Sequence, residues 1–209
     1  MVDSGKTVIV TYGMGNLGSV KNMLKKIGCE AVITADPGKI ESADRLILPG
    51  VGSFDRGMKN IKESGFLEIL GQKVLEERTP ILGICLGMQL LTEGSEEGIT
   101  RGLGWISAKT VRFSFNGSPL PLKIPHMGWN FVRPARKSRL IDNIGDRPRF
   151  YFVHSYHVVC NNPDDIVLIC NYGGEFACAV QHNNIMGVQF HPEKSHRFGL
   201  QLLRNFSEM

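Results

Sequence analysis

The chain has 209 residues, a net charge of +4 and 42% apolar residues, enough for one well-buried domain and without the long like-charge block that marks a nucleic-acid tail. Its apolar runs fall far short of the ~20 residues that cross a bilayer, and the start "MVDSGKTVIV" lacks a basic-then-apolar leader pattern, so neither a membrane role nor export is expected. Five cysteines, none spaced C-x-x-C, fit reduced thiols in a cytoplasm and exclude a disulfide scaffold.

"TVIV" predicts a first strand, and "GNLGSVKNMLKKIG" a helix that ends at Gly28. Gly13, Gly15 and Gly18 between them spell G-x-G-x-x-G. After the second strand, "EAVIT", Asp36 stands roughly where a ribose-binding acid belongs, so a dinucleotide-binding oxidoreductase is one reading of this end of the chain. "RLILP" predicts a third strand. "FDRGMKNIKESGFLEILGQKVLEER" keeps helical spacing with an interruption near Gly65, "PILGIC" is a continuous apolar strand, and "LGMQLLTEG" restarts a helix. Short apolar strands alternating with helices argue for a parallel sheet covered on both faces.

Past residue 100 the texture changes. "LGWISAKTVRFSF", "GWNFVRP", "RFYFVHSYHVVC", "DIVLICNYG", "FACAVQH" and "IMGVQFHP" read as strands separated by turns such as Asn116-Gly117 and Asn183-Asn184, which predicts antiparallel pairs extending the sheet. "HRFGLQLLRNFSEM" predicts a closing helix. The expected fold is therefore α/β, a single domain over residues 1–209 with a mixed sheet flanked by helices and its antiparallel strands in the C-terminal half.

Cys85 ends an apolar strand and precedes a helix, with Gly83 and Gly87 on either side. G-x-C-x-G is the thiol form of a nucleophile elbow: a sharp turn pushes the side chain out of the sheet and needs small neighbours. N–H groups at the helix start favour a thiolate, and that of Leu86 would face an oxyanion formed at the attacked carbonyl. A thiol nucleophile needs a base. In "GVQFHPEKS", Gln189 and His191 share one strand face, Pro192 ends the strand, and Glu193 stands close enough to orient the imidazole. The proposed relay is Cys85 attacking, His191 moving the proton and Glu193 holding His191. "HSYHVVC" could suggest a metal through His154, His157 and Cys160. Its residues favour a strand, in which positions three apart face opposite sides, so no metal is expected.

"YGMGNLGSV", "LILPGVGSF", "PILGICLGMQLL", "GLGW", "IPHMGWN", "YFVHSYHV", "GVQFHPEKS" and "GLQLLRNF" resemble the class I (triad-type) glutamine amidotransferases, which have a flavodoxin-like fold. Within that family they are most similar to the glutaminase subunits of imidazole glycerol phosphate synthase. The resemblance implies glutamine hydrolysis through a γ-glutamyl thioester on Cys85, without metal or organic cofactor. It implies an oxyanion loop at Gly50, Val51 and Gly52 together with Leu86, and a glutamine pocket at Gln89, Glu97, Ser155 and Tyr156. It also makes Asn16, Trp129, Tyr151 and Lys194 partner-facing, and puts the first glycine turn at the docking face, not on a nucleotide. The family's partner is a (β/α)₈-barrel cyclase that turns a phosphoribosyl-formimino carboxamide ribotide into imidazole glycerol phosphate and an aminoimidazole carboxamide ribotide. Ammonia loose in neutral water is mostly protonated and no longer nucleophilic, which favours a docked acceptor.

Thr11 departs from the acid usual before "YG" in the family, and "EFACAVQHNNIMGVQFHPEKSHRFG" also resembles paralogues that feed ammonia to the amidination of a surface-polysaccharide sugar. A cysteine hydrolase or chaperone-like relative on the same elbow that does not use glutamine is a further alternative. The oxidoreductase reading leaves Cys85, His191 and Glu193 without a role.

Overall fold

Strands β1 (Thr7–Val10) and β3 (Arg45–Gly50) show why the first half of the chain makes a sheet buried on both sides. Val8, Val10, Leu46 and Leu48 turn to one face, where Ile40 of α2 (Pro37–Glu41), Phe54 and Ile61 of α3 (Phe54–Glu63) and Phe66 and Leu70 of α4 (Phe66–Gly71) cover them. Ile9 and Ile47 turn to the other, beneath Val20 and Leu24 of α1 (Leu17–Lys26) and Leu202, Leu203 and Phe206 of α6 (His196–Ser207). With both faces covered, the strands need apolar residues at every position. Phe206 is fully buried, and cutting it to alanine would cost about 3–5 kcal/mol. The computed structural model describes residues 5–115 and 122–209, so the expected Asn116-Gly117 turn lies outside the described residues.

The sheet runs in the order β2-β1-β3-β4-β11-β10-β9-β6-β7. Here β2 is Ala31–Thr34, β4 Ile81–Cys85, β6 His126–Pro134, β7 Arg149–His154, β9 Ile166–Asn171, β10 Glu175–His182 and β11 Ile185–Val188. The pairings from β2 to β11 are parallel and those beyond β11 antiparallel, as the change in texture predicts. A side branch carries β5 (Ala108–Arg112) on β8 (Tyr156–Cys160), which also meets β10.

Several local expectations change. The segment after β2 forms α2, and the Asp36 carboxylate accepts the Gly38 N–H at 2.9 Å as its N-cap. Asp36 is thus engaged in starting a helix, which removes the acid on which the dinucleotide reading relied. The long segment after β3 is interrupted at Gly65 (φ +74°), as expected, between α3 and α4, and it closes in a π-helical turn over Gln72–Glu76 that the spacing did not predict. "RFYFVHSYHVVC" is two strands, not one. The chain breaks at Ser155, so that β7 pairs with β6 while β8 pairs with β5 and β10. Similarly, only Ala108–Arg112 of "LGWISAKTVRFSF" is strand, and β11 stops at Val188.

Candidate active site

Cys85 closes β4 and caps α5 (Leu86–Leu90) with φ +55° and ψ −110°. A non-glycine residue there costs roughly 1–3 kcal/mol and persists only where its surroundings impose it. The glycines around it permit the turn. A Cβ on Gly83 would lie 2.6 Å from the Gly87 carbonyl oxygen, and one on Gly87 would overlap the Leu48 carbonyl oxygen. The strand-to-helix turn therefore packs backbone on backbone, and the Cys85 side chain is left on the wall of a cavity of about 340 Å³.

His191 lines the same cavity and is 3% exposed. Its Nδ1 lies 2.8 Å from Glu193 Oε1, across a short 3₁₀ turn that begins at Pro192. A carboxylate only accepts, so Nδ1 carries a proton in either state of the ring, and Nε2 is the nitrogen that gains or loses one. That Nε2 is buried without a hydrogen-bond partner, free to take a proton. Burial pulls the imidazole pKa down, but Cys85 and the Glu193 carboxylate together outweigh it and raise the value to about 10. The backbone is held too: His191 N–H donates to the Tyr151 carbonyl at 2.9 Å, and the Ser195 hydroxyl donates to the His191 carbonyl at 2.6 Å.

The rest of the wall suits an amide. Gln89 donates to Gln189 Oε1 at 3.0 Å and to the Tyr156 carbonyl at 3.4 Å, and Gln189 donates to Cys85 Sγ at 3.7 Å. Val51, Gly52, Leu86, Ser155 and Tyr156 also line the cavity. Gly52 sits at φ +117°, a conformation that favours glycine, and Val51 beside it is exposed. Gly50 lies one layer behind, paired with Cys85 in the sheet. Glu97 is on the wall as well, but its Oε2 accepts the Phe54 N–H at 2.8 Å and so caps α3, while Asp55 accepts from Ile99 and Thr100 in return. Those two backbone N–H groups hold the Asp55 carboxyl below the ordinary carboxylate value.

A thiol, a carboxylate-held imidazole and a cavity that also presents Gln89, Ser155 and Tyr156 form the set from which cysteine amidases are made. The glutamine amidotransferase class-I family model matches residues 8–209. The chain belongs to the class I glutamine amidotransferase family. It is 57% identical over 198 residues to imidazole glycerol phosphate synthase subunit HisH 2 of Methanococcus maripaludis, covering 95% of this chain and 96% of that protein. It is 49% identical over 202 residues to the protein of the same name from Pseudomonas aeruginosa, covering 97% and 98%. Among solved structures, PurLQS from Thermotoga maritima superposes with a TM-score of 0.73 at 18% identity over 97% of both chains, a likeness of fold.

Three residues of this amidotransferase site escape the sequence reading. Gln189 contacts the sulfur, and its strand parity with His191 is the signal that could have found it. Tyr12 is buried with no partner for its hydroxyl, and a Cβ on Gly50 would lie 2.5 Å from that oxygen. Burial first, and Cys85 second, push its phenol far above the ordinary value, so it remains an O–H donor. His154 lines the cavity, although strand parity alone would have set it opposite His157. The break at Ser155 cancels that parity, and both rings pack on Phe113, with centroids at 5.2 and 4.6 Å. Among the described residues, no group of three or more His, Cys, Asp or Glu is arranged to hold a metal.

Proposed function

We propose that this amidotransferase hydrolyses glutamine at Cys85 and delivers the ammonia to a (β/α)₈-barrel cyclase in histidine biosynthesis, as a cytoplasmic heterodimer. The cyclase product would be imidazole glycerol phosphate, released with an aminoimidazole carboxamide ribotide. The observation that carries the reading is one cavity holding Cys85 beside an imidazole tied to Glu193. Identity of 57% over nearly the full length of a named synthase subunit supports the acceptor.

In this mechanism His191 Nε2 holds the proton given up by the thiol, and the Sγ thiolate attacks the carbon of the glutamine side-chain amide. The Leu86 N–H, joined by an N–H of the Gly50–Gly52 loop, receives the oxyanion. The imidazolium then gives its proton to the leaving nitrogen as the C–N bond breaks, releasing ammonia and a γ-glutamyl thioester. Water, deprotonated by His191, cleaves the thioester to glutamate and restores the thiol. Gln89, Glu97, Ser155 and Tyr156 would hold the substrate. No metal or organic cofactor enters these steps.

Strand parity supports a docking face on β6. Met127, Trp129 and Phe131, on one face of β6, are 62%, 41% and 48% exposed, an unusual row of large apolar side chains. Trp129 stacks on His196 at 5.1 Å, and Lys194 lies over the Tyr151 ring at 5.1 Å. Asn16 stands at the N-cap position of α1, which packs against the Pro192–Lys194 turn. This patch joins the cavity through Val153, which pairs with Met127 and lines it, so a partner seated here would cover the ammonia exit.

The test is capture of the native partner, followed by a glutamine-to-glutamate assay and gene deletion. The expected results are slow hydrolysis by the chain alone, strong activation by the loaded cyclase, and histidine auxotrophy on deletion. Growth without histidine, with a sugar-amidinating partner captured instead, would reassign the acceptor. Failure of a glutamine-mimicking diazoketone to trap Cys85 would remove glutamine itself.

A further inference from the structure

The inward positions of β6 do something different from the outward ones. His126 and Asn130 turn away from the exposed row and enter a hydrogen-bonded chain whose direction one carbonyl dictates. His154 Nδ1 lies 2.7 Å from the Tyr156 carbonyl oxygen, which can only accept. The proton therefore sits on Nδ1, and His154 Nε2 is an acceptor. His126 Nδ1, 3.0 Å from that Nε2, must donate to it. This leaves His126 Nε2 as the acceptor for the Asn130 amide at 3.4 Å.

Burial keeps both rings neutral near pH 7, lowering His126 to about 4 and His154 to about 3, so each holds a single proton in a forced position. The far end of the chain is the cavity wall: the Tyr156 carbonyl also accepts from Gln89, and through Gln189 the network reaches the Cys85 sulfur. None of the proton transfers in the mechanism above uses either ring.

We propose that His126 and His154 are positioning residues, forming a one-way hydrogen-bond chain that ties strand β6 to the Tyr156 carbonyl and holds the glutamine cavity at the width its amide requires. This rests on the glutaminase reading. It assigns β6 a double role: its outward side chains form the candidate docking row, and its inward ones anchor the substrate wall.

Two substitutions at one position separate the hydrogen bond from packing. The His126 ring stacks on Phe152 at 4.7 Å and on Tyr172 at 4.0 Å. His126→Phe keeps that stacking but leaves His154 Nε2 without a donor. His126→Asn loses the stacking and retains an N–H near the Nδ1 position. In the complex with its captured partner, His126→Phe is expected to raise the KM for glutamine about tenfold, with kcat and ammonia-dependent synthesis unchanged. His126→Asn is expected to stay close to the wild-type KM.

The reverse order, or an unchanged KM in His126→Phe, overturns the proposal. A second reading does not depend on the variants folding: nitrogen NMR of ¹⁵N-histidine wild-type protein should show both rings as Nδ1–H tautomers, and an Nε2–H tautomer on either ring refutes the chain. Absence of any glutamine hydrolysis by the wild-type complex would instead count against the glutaminase reading, while the tautomers would still report on the chain.

Discussion

Buried imidazoles on the wall of one cavity, His191 and His154, and behind it, His126, are held in opposite states. His191 is raised to about 10, whereas His126 and His154 are lowered to about 4 and about 3. Burial acts in the same direction on all three, against the cation. The outcome depends on the partners: His191 faces a carboxylate and a thiol, while His154 faces a carbonyl and a second neutral ring. A carboxylate stabilises the imidazolium through charge; a carbonyl offers one acceptor and no net charge. One region is thereby able to move a proton, and the other keeps its protons where they are.

The sharpest way to break this comparison is at the thiol. Cys85→Ala should lower glutamine-dependent turnover of the complex by about 10⁴-fold or more, with ammonia-dependent synthesis intact. Loss of both activities together would make Cys85 structural. Next comes Glu193→Gln, which keeps an acceptor at Nδ1 but removes the charge. A fall in kcat on the order of 10³-fold is expected, together with a downward shift of the base limb of the pH–rate profile. An unchanged profile would mean that Glu193 does not govern His191.

The smallest effects lie in stability against pH, and they have opposite signs. Below pH 6.5, the ordinary histidine value, the unfolded chain takes up protons that the folded His126 and His154 refuse, so their contribution is lost as pH falls from 6.5 toward about 3. His191 behaves the other way. Folded, it keeps its proton up to about 10, so its contribution is full below 6.5 and disappears as pH rises from there through about 10. Urea melts across pH should therefore show a shallower acid limb for His126→Phe and a shallower alkaline limb for Glu193→Gln, each relative to wild type. Matching slopes in a variant and the wild type would show that its group does not carry the difference.

Much of the fold could be read locally. The apolar runs, the glycines at the ends of α1 and α3, and the change of period past residue 100 each depend on a few adjacent residues, and the sheet follows them in order. The elbow was legible because its small neighbours are demanded by backbone contact within a few positions of Cys85. His191 and Glu193 were legible because proline and strand parity act over single residues.

Tertiary structure alone decided the rest. Asp36 looked like a ribose ligand until a helix formed behind it, and the Glu97 carboxylate, on the cavity wall, also takes the first N–H of α3. His126 and His154 are 28 residues apart and meet only because β6 and β7 pair in one register, and because a break at Ser155 turns the next strand onto other partners. Sequence carries the periodicity and steric rules that act between near neighbours. Which distant donor finds which acceptor is set by register and packing, and here that choice determines the charge each buried histidine can hold.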